Sequence, residues 1–253
     1  MKSEALCLLY GIVFARSNDG ARGHLPLELP QGVGGAPVKL IEEEGLGAAV
    51  SLIEPSDLAP NIERGLAYAR VVEALHADRT VLPMRYGCLF TEEPRVVELL
   101  RLHREEYAAI LRELDGCVEM GVRVLADHQE SPNADCGVLV AESFSQTPGT
   151  AYLAGRRAVY AEREWRDRED GRVVERCREA LTGLFVRWKA ESLQSNSPHV
   201  ALSFLVKREA VESFRVAFRR FSRTERARLL LSGPWPPYNF AAPERSPCRD
   251  RSP

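Results

Sequence analysis

The spacing of apolar and polar positions changes several times along the chain, and each change marks an element. Residues 5–14 (ALCLLYGIVF) read as a β-strand. VKLIEE at 38–43 and AAVSLIEP at 48–55 read as two more, joined as a hairpin around Glu44, Gly45, Leu46 and Gly47. From Asn61 and Ile62 the apolar positions recur at three and four, through Ile62, Leu66, Ala69, Val72 and Leu75 or His76, which predicts a helix. A β-like run, VLPMRYGCLF at 81–90, follows. The cleanest helical stripe spans 91–116: Val96, Leu100, Tyr107, Leu111 and Leu114 share one face. Thr91 can cap it, Glu92 and Glu93 suit its positive end, Pro94 fits the first turn and Gly116 stops it. CVEMGVRVLAD at 117–127 is then a strand. The order β, ββ, α, β, α, β predicts an α+β domain over residues 1–127, in a modified ferredoxin-like arrangement with helices on one face of an antiparallel sheet.

Residues 128–148 are polar and turn-rich around a short GVLVA, which reads as a linker. Helix formers dominate from Thr150 to Leu193, where Leu153, Tyr160, Val174, Leu181 and Trp188 fall on one sevenfold register, with Cys177 and Leu184 between them. That spacing predicts long coiled-coil-like helices. The register breaks at Asp167 and Gly171 follows. A hinge there, giving one bent helix or an antiparallel hairpin, is favoured over a straight rod of about 66 Å. HVALSFLVK at 199–207 is a strand, 208–223 an amphipathic helix and 227–233 a last strand. Residues 149–242 therefore form a second, helix-rich α+β domain, and the tail 243–253 (PERSPCRDRSP) reads as disordered.

Composition narrows the chemistry. The chain has 253 residues, 45% hydrophobic and 28% charged, a globular profile with no window of 18 consecutive apolar residues. Its formal charge of −2 offers no global basic field, so nucleic acid is not an expected partner. Cys7, Cys88, Cys117, Cys136, Cys177 and Cys248 are scattered without a C-x-x-C, which points to buried free thiols in a reducing cytoplasm. There is no G-x-S-x-G and no H-E-x-x-H, and His76 and His103 read as helix-edge residues rather than ligands. QGVGGAP at 31–37 precedes a strand, the wrong order for a phosphate loop, and reads as a flexible connection. No catalytic residue, cofactor, metal or small-molecule substrate is expected.

Five stretches, LYGIV at 9–13, VLPMRYGCLF at 81–90, GCVEMGVRV at 116–124, GTAYLAGRR at 149–157 and LSGPWPPYNF at 231–240, together resemble the gas vesicle protein GvpL/GvpF family, in order and over nearly the whole chain. Tyr86 stands where that family commonly has Phe. The resemblance implies a non-enzymatic accessory or minor structural protein of gas vesicle assembly. It also implies a cytoplasmic location associated with the gas vesicle, and binding to the main shell protein GvpA and other accessory gas vesicle proteins. A lipid membrane is not an implied partner. A small-molecule-sensing regulatory module is the alternative from a different class.

Candidate partner-binding or domain-interface residues fall in three groups. Arg85, Tyr86 and Glu119 lie on strands expected to be neighbours, where Arg85 and Glu119 form either an ion pair or a polar partner site. Tyr152, Leu153 and Arg156 open the long helix with one apolar and one basic face, for core packing or for a partner helix. Trp235, Tyr238 and Phe240 are held by Pro234, Pro236 and Pro237, which end the last strand and leave little ordering entropy to lose. Those rings either strap the segment between two domains or form an exposed platform.

Overall fold

The computed structural model describes residues 5–15, 29–59, 61–125, 171–192 and 199–241. The fold is mixed α+β, built on antiparallel sheets. The chain divides into two compact units, residues 1–119 with 233–253, and residues 120–232.

In the first unit, β1 (Leu6–Phe14), β2 (Lys39–Glu43), β3 (Leu46–Ile53) and β4 (Val81–Pro83) lie in the order β2-β3-β1-β4, and β5 (Leu89–Phe90) also pairs with β1. The β2–β3 hairpin is tighter than its sequence suggests. Glu43 pairs with Leu46, so the turn is only Glu44 and Gly45, whose φ values of 45° and 87° are both positive, as a two-residue type I′ turn requires. Val81–Phe90 is two short strands rather than one. Both pair with β1, on either side of a turn at Met84–Cys88 in which Gly87 has φ 88°.

The strand β1 is buried at seven consecutive positions, a run that requires cover on both faces. Leu8, Tyr10 and Val13 pack with Tyr68, Val71, Val72 and Leu75 of α1 (Ile62–Asp78). The change of parity between Tyr10 and Val13 follows from a β-bulge, a register shift between Leu9 and Gly11 against β3. Cys7, Leu9 and Ile12, equally buried, point the other way, and α2 (Glu93–Leu102) and α3 (Arg104–Glu113) pack against the same sheet. The expectation of helices on one face is thus corrected.

The predicted single helix over 91–116 is two, broken at His103 (φ −109°, ψ 18°), whose ring Nδ1 meets Glu106 Oε2 at 2.9 Å. Its N-cap is Glu92, not Thr91, and no side chain caps it. Pro94 sits in the first turn as expected.

The second unit carries most of a sheet ordered β7-β8-β6-β9, from β6 (Cys117–Leu125), β7 (Arg187–Ser192), β8 (His199–Lys207) and β9 (Arg228–Trp235). The chain passes from one unit to the other within β6 and returns within β9. A helix at 171–180, here α4, buries Val173 and Cys177, with Leu181 just beyond it, and α5 (Val211–Thr224) buries Phe214 and Phe218. Phe204 of β8 joins the two sides of this core, with ring centroids 5.1 Å from Phe185 and 5.4 Å from Phe214. The Arg176 guanidinium grips Glu225 with two bonds of 2.8 and 3.0 Å, which ties α4 to the corner between α5 and β9. That contact holds the Glu225 carboxyl below its ordinary range.

The heptad register extends too far in the sequence reading. Gly183 takes φ 85°, a left-handed stop, and Trp188 lies on β7 opposite Phe204, not on a helix. The Leu153 and Tyr160 part of that register lies outside the described residues. Cys7, Cys117 and Cys177 are buried thiols outside any disulfide, whereas Cys88 is disulfide-bonded, a departure from the all-thiol expectation.

Candidate partner-binding site

The first unit concentrates its buried polar chemistry around the β1 bulge. The bulge turns Tyr10 so that its hydroxyl lies 2.8 Å from Ser51 Oγ and accepts the Val33 amide at 2.9 Å. That second bond fixes the 31–37 loop, so the flexible connection read from sequence is an ordered cover over Tyr10. Gly32 is required there, because a Cβ at this position would come within 2.1 Å of the Tyr10 hydroxyl.

Tyr68 reaches the bulge from α1. Its ring stacks on Tyr10 at 4.9 Å, and its hydroxyl donates to Met84 O at 2.7 Å, with Tyr10 O and Leu9 O at 3.2 and 3.3 Å. The carbonyl so gripped immediately precedes Arg85 and Tyr86. Tyr86 in turn sets its ring edge-on to Tyr68, with centroids 5.3 Å apart. Arg85 is exposed at the tip of the turn.

Glu119 is buried, yet its partner is not Arg85. Its carboxylate accepts the Asn239 backbone amide at 2.9 Å and the Asn239 side-chain amide at 2.7 Å. Among the described residues no ion pair joins Arg85 to Glu119.

The anchored segment is 233–241. The strand β9 runs through Pro234 to Trp235, further than expected, as an edge strand permits. Pro236 and Pro237 are buried, and a 3-10 turn at Tyr238–Phe240 closes with Tyr238 N on Pro236 O at 2.8 Å and Phe240 N on Pro237 O at 3.1 Å. The three rings divide. Phe240 is 4% exposed, whereas Trp235 and Tyr238 keep 46% and 37% of their surface open. Tyr152, Leu153 and Arg156 lie outside the described residues.

Burial, then the charges of Glu73 and Glu119, push the Tyr238 hydroxyl up to about 12. Burial also raises Tyr10 and, further, Tyr68. Since the folded chain holds Tyr10 and Tyr68 neutral, the stability they contribute is complete below pH 10, the ordinary tyrosine value, and declines as pH rises above it. Alkaline titration followed by circular dichroism and tyrosinate absorbance should show that, of the chain's seven tyrosines, at least Tyr10 and Tyr68 ionise only together with unfolding. All seven ionising while the fold stays intact would contradict this packing.

Sequence reasoning missed Tyr10, Tyr68 and Asn239. Tyr10 and Asn239 sit inside quoted motifs, but nothing in a linear pattern tells which polar atom finds a buried partner. Tyr68 lies off the stripe read from sequence, whose first members Ile62 and Leu66 are exposed, because the buried face of the helix runs instead through Tyr68, Val71, Val72 and Leu75.

A family model described as gas vesicle synthesis protein GvpL/GvpF matches residues 6–242. Gas vesicle protein F of Streptomyces sp. (strain CB03234) is 29% identical, over 84% of this chain and 93% of its own length. Gas vesicle protein L of the same strain is 28% identical, over 95% and 94%. The crystal structure of the gas vesicle protein GvpF from Anabaena sp. PCC7120 shares the fold, with a TM-score of 0.72 over 95% of this chain and 98% of that one, at 18% identity. With nearly every described element inside the matched span, the chain belongs to the GvpL/GvpF family of gas vesicle synthesis proteins.

Proposed function

We propose that this chain is a cytoplasmic accessory or minor structural protein of gas vesicle assembly, which binds the main shell protein through Trp235 and Tyr238 and makes or breaks no bond itself. One observation carries the reading: two large rings stay open to solvent on a segment whose backbone is fixed by prolines and by the buried Glu119–Asn239 contact. A rigid aromatic surface binds apolar partners at low entropic cost, and Trp and Tyr dominate such contacts. Shell subunits with extensive apolar surface need cover before they assemble, and a rigid aromatic platform supplies it. The names of the relatives support the assignment to gas vesicles.

The finer domain division belongs to the same proposal: a ferredoxin-like domain over 1–127 and a second α+β domain within 149–242, while the segments read as linker (128–148) and tail (243–253) lie outside the described residues. So do Arg85 and Tyr86, as a second contact held in place by Tyr68, and Tyr152, Leu153 and Arg156, as a third. Other accessory gas vesicle proteins are proposed partners alongside the shell protein. Cells lacking the protein, complemented with Trp235→Ser/Tyr238→Ser at wild-type abundance, are expected to form no gas vesicles by electron microscopy. Normal vesicles in those cells would reject the platform.

A further inference from the structure

Another surface, on the second unit, is built on different chemistry. The helix α5 buries Phe214 and Phe218 on one side. A neighbouring face of the helix, turned towards Ala180 at the end of α4, forms a groove of 640 Å³. The groove follows positions 212 and 213, 216 and 217, 220 and 221, and 224, which is a single face of one helix. At the usual rise of about 1.5 Å per residue, this face is about 18 Å long, or three turns. Val216, Ala217 and Phe221 line it, and Val216 is 54% exposed.

The charges around it are unbalanced. Arg219 donates to Glu212 at 2.9 Å, and Arg215 lies 3.7 Å from the same carboxylate. No carboxylate among the described residues pairs with Arg220 or Arg223. The groove thus offers an apolar line with surplus positive charge beside it.

We infer that this groove docks an amphipathic helix of a partner protein whose apolar stripe is flanked by acidic residues. A three-turn helical face is matched by anchors at i, i+3 or i+4, and i+7 of a second helix. The flanking acids would meet Arg220 and Arg223, which sets orientation and encounter rate. A phosphate backbone fits less well, because the site presents Glu212 and apolar side chains where nucleic acid would want cations alone. A second copy of this chain would bring α5 against α5 and oppose arginine to arginine. This surface does not depend on the aromatic platform.

The test places a benzophenone amino acid at position 216 of the full chain, in cells that make gas vesicles, and maps the light-induced adducts by mass spectrometry. The expected result is an adduct to a helical, acidic segment of another protein. It should fall roughly tenfold or more when Arg220→Glu and Arg223→Glu are added, and return with Arg220→Lys and Arg223→Lys. Adducts to nucleic acid, to a second copy of the chain or to the chain's own residues would overturn the proposal, as would no adduct at all. So would an adduct insensitive to the charge reversal. Thermal unfolding of each purified variant, expected to match wild type because all three side chains are exposed, separates a lost site from a lost fold.

Discussion

Glu119→Ala is expected to destabilise the chain by about 3 kcal/mol in chemical denaturation. The carboxylate is 6% exposed and accepts two bonds from Asn239. A hydrogen bond to a charged group contributes about 1.5–3 kcal/mol, and the alanine variant loses two of them. The two bonds share both residues, so their losses do not simply add. Glu119→Gln keeps one acceptor oxygen and should lose about half as much. A loss below about 1 kcal/mol for the alanine variant would mean that the terminal segment is held by Pro236, Pro237 and Phe240 alone.

Tyr68→Ala is expected to cost about 3–5 kcal/mol, the range for truncating a buried aromatic ring. Tyr68 is 4% exposed, stacks on Tyr10 and supports Tyr86. Tyr68→Phe separates ring from hydroxyl: it keeps both stacks and loses the bond to Met84 O, for about 1–2 kcal/mol. The phenylalanine variant should also loosen the turn that carries Arg85, seen as faster amide exchange at residues 84–88. Unchanged exchange with reduced stability would make the hydroxyl a stabilising group and not a positioning one.

What was legible in the sequence was what periodicity encodes. The spacing at Ile62–Leu75 placed α1, and Gly45 placed the first hairpin, because local sterics decide those features. Competition between local and tertiary preferences was not legible. Leu184–Leu193 has helical spacing, yet Gly183 ends the helix and Trp188 finds a strand partner opposite Phe204. The α2–α3 stripe runs through His103 without a gap, so its break leaves no mark in the hydrophobic pattern. The β1 bulge is equally silent, since Tyr10 and Gly11 look like any strand pair until Tyr10 turns towards Ser51 and Val33.

The candidate site divides in the same way. Prolines flanking aromatic residues mark 234–240 as a segment of restricted backbone, but they do not tell the buried ring of Phe240 from the exposed rings of Trp235 and Tyr238. Glu119 reads as a charge that needs a partner, either Arg85 or a polar partner site. A charge-to-charge match with Arg85 was the obvious pairing in one dimension, whereas in three dimensions an asparagine 120 positions away supplies two donors to Glu119.

The central claim is that Trp235 and Tyr238 are open for binding and are not needed for folding. The most direct measurement is the affinity of the purified chain for solubilised main shell protein, wild type against Trp235→Ser/Tyr238→Ser, with thermal unfolding of both. Aromatic contacts of this kind are worth about 2 kcal/mol or more each, so the double variant should bind at least about a hundredfold more weakly with an unchanged melting temperature. Equal affinity, or a fold that melts early without these rings, would contradict the account.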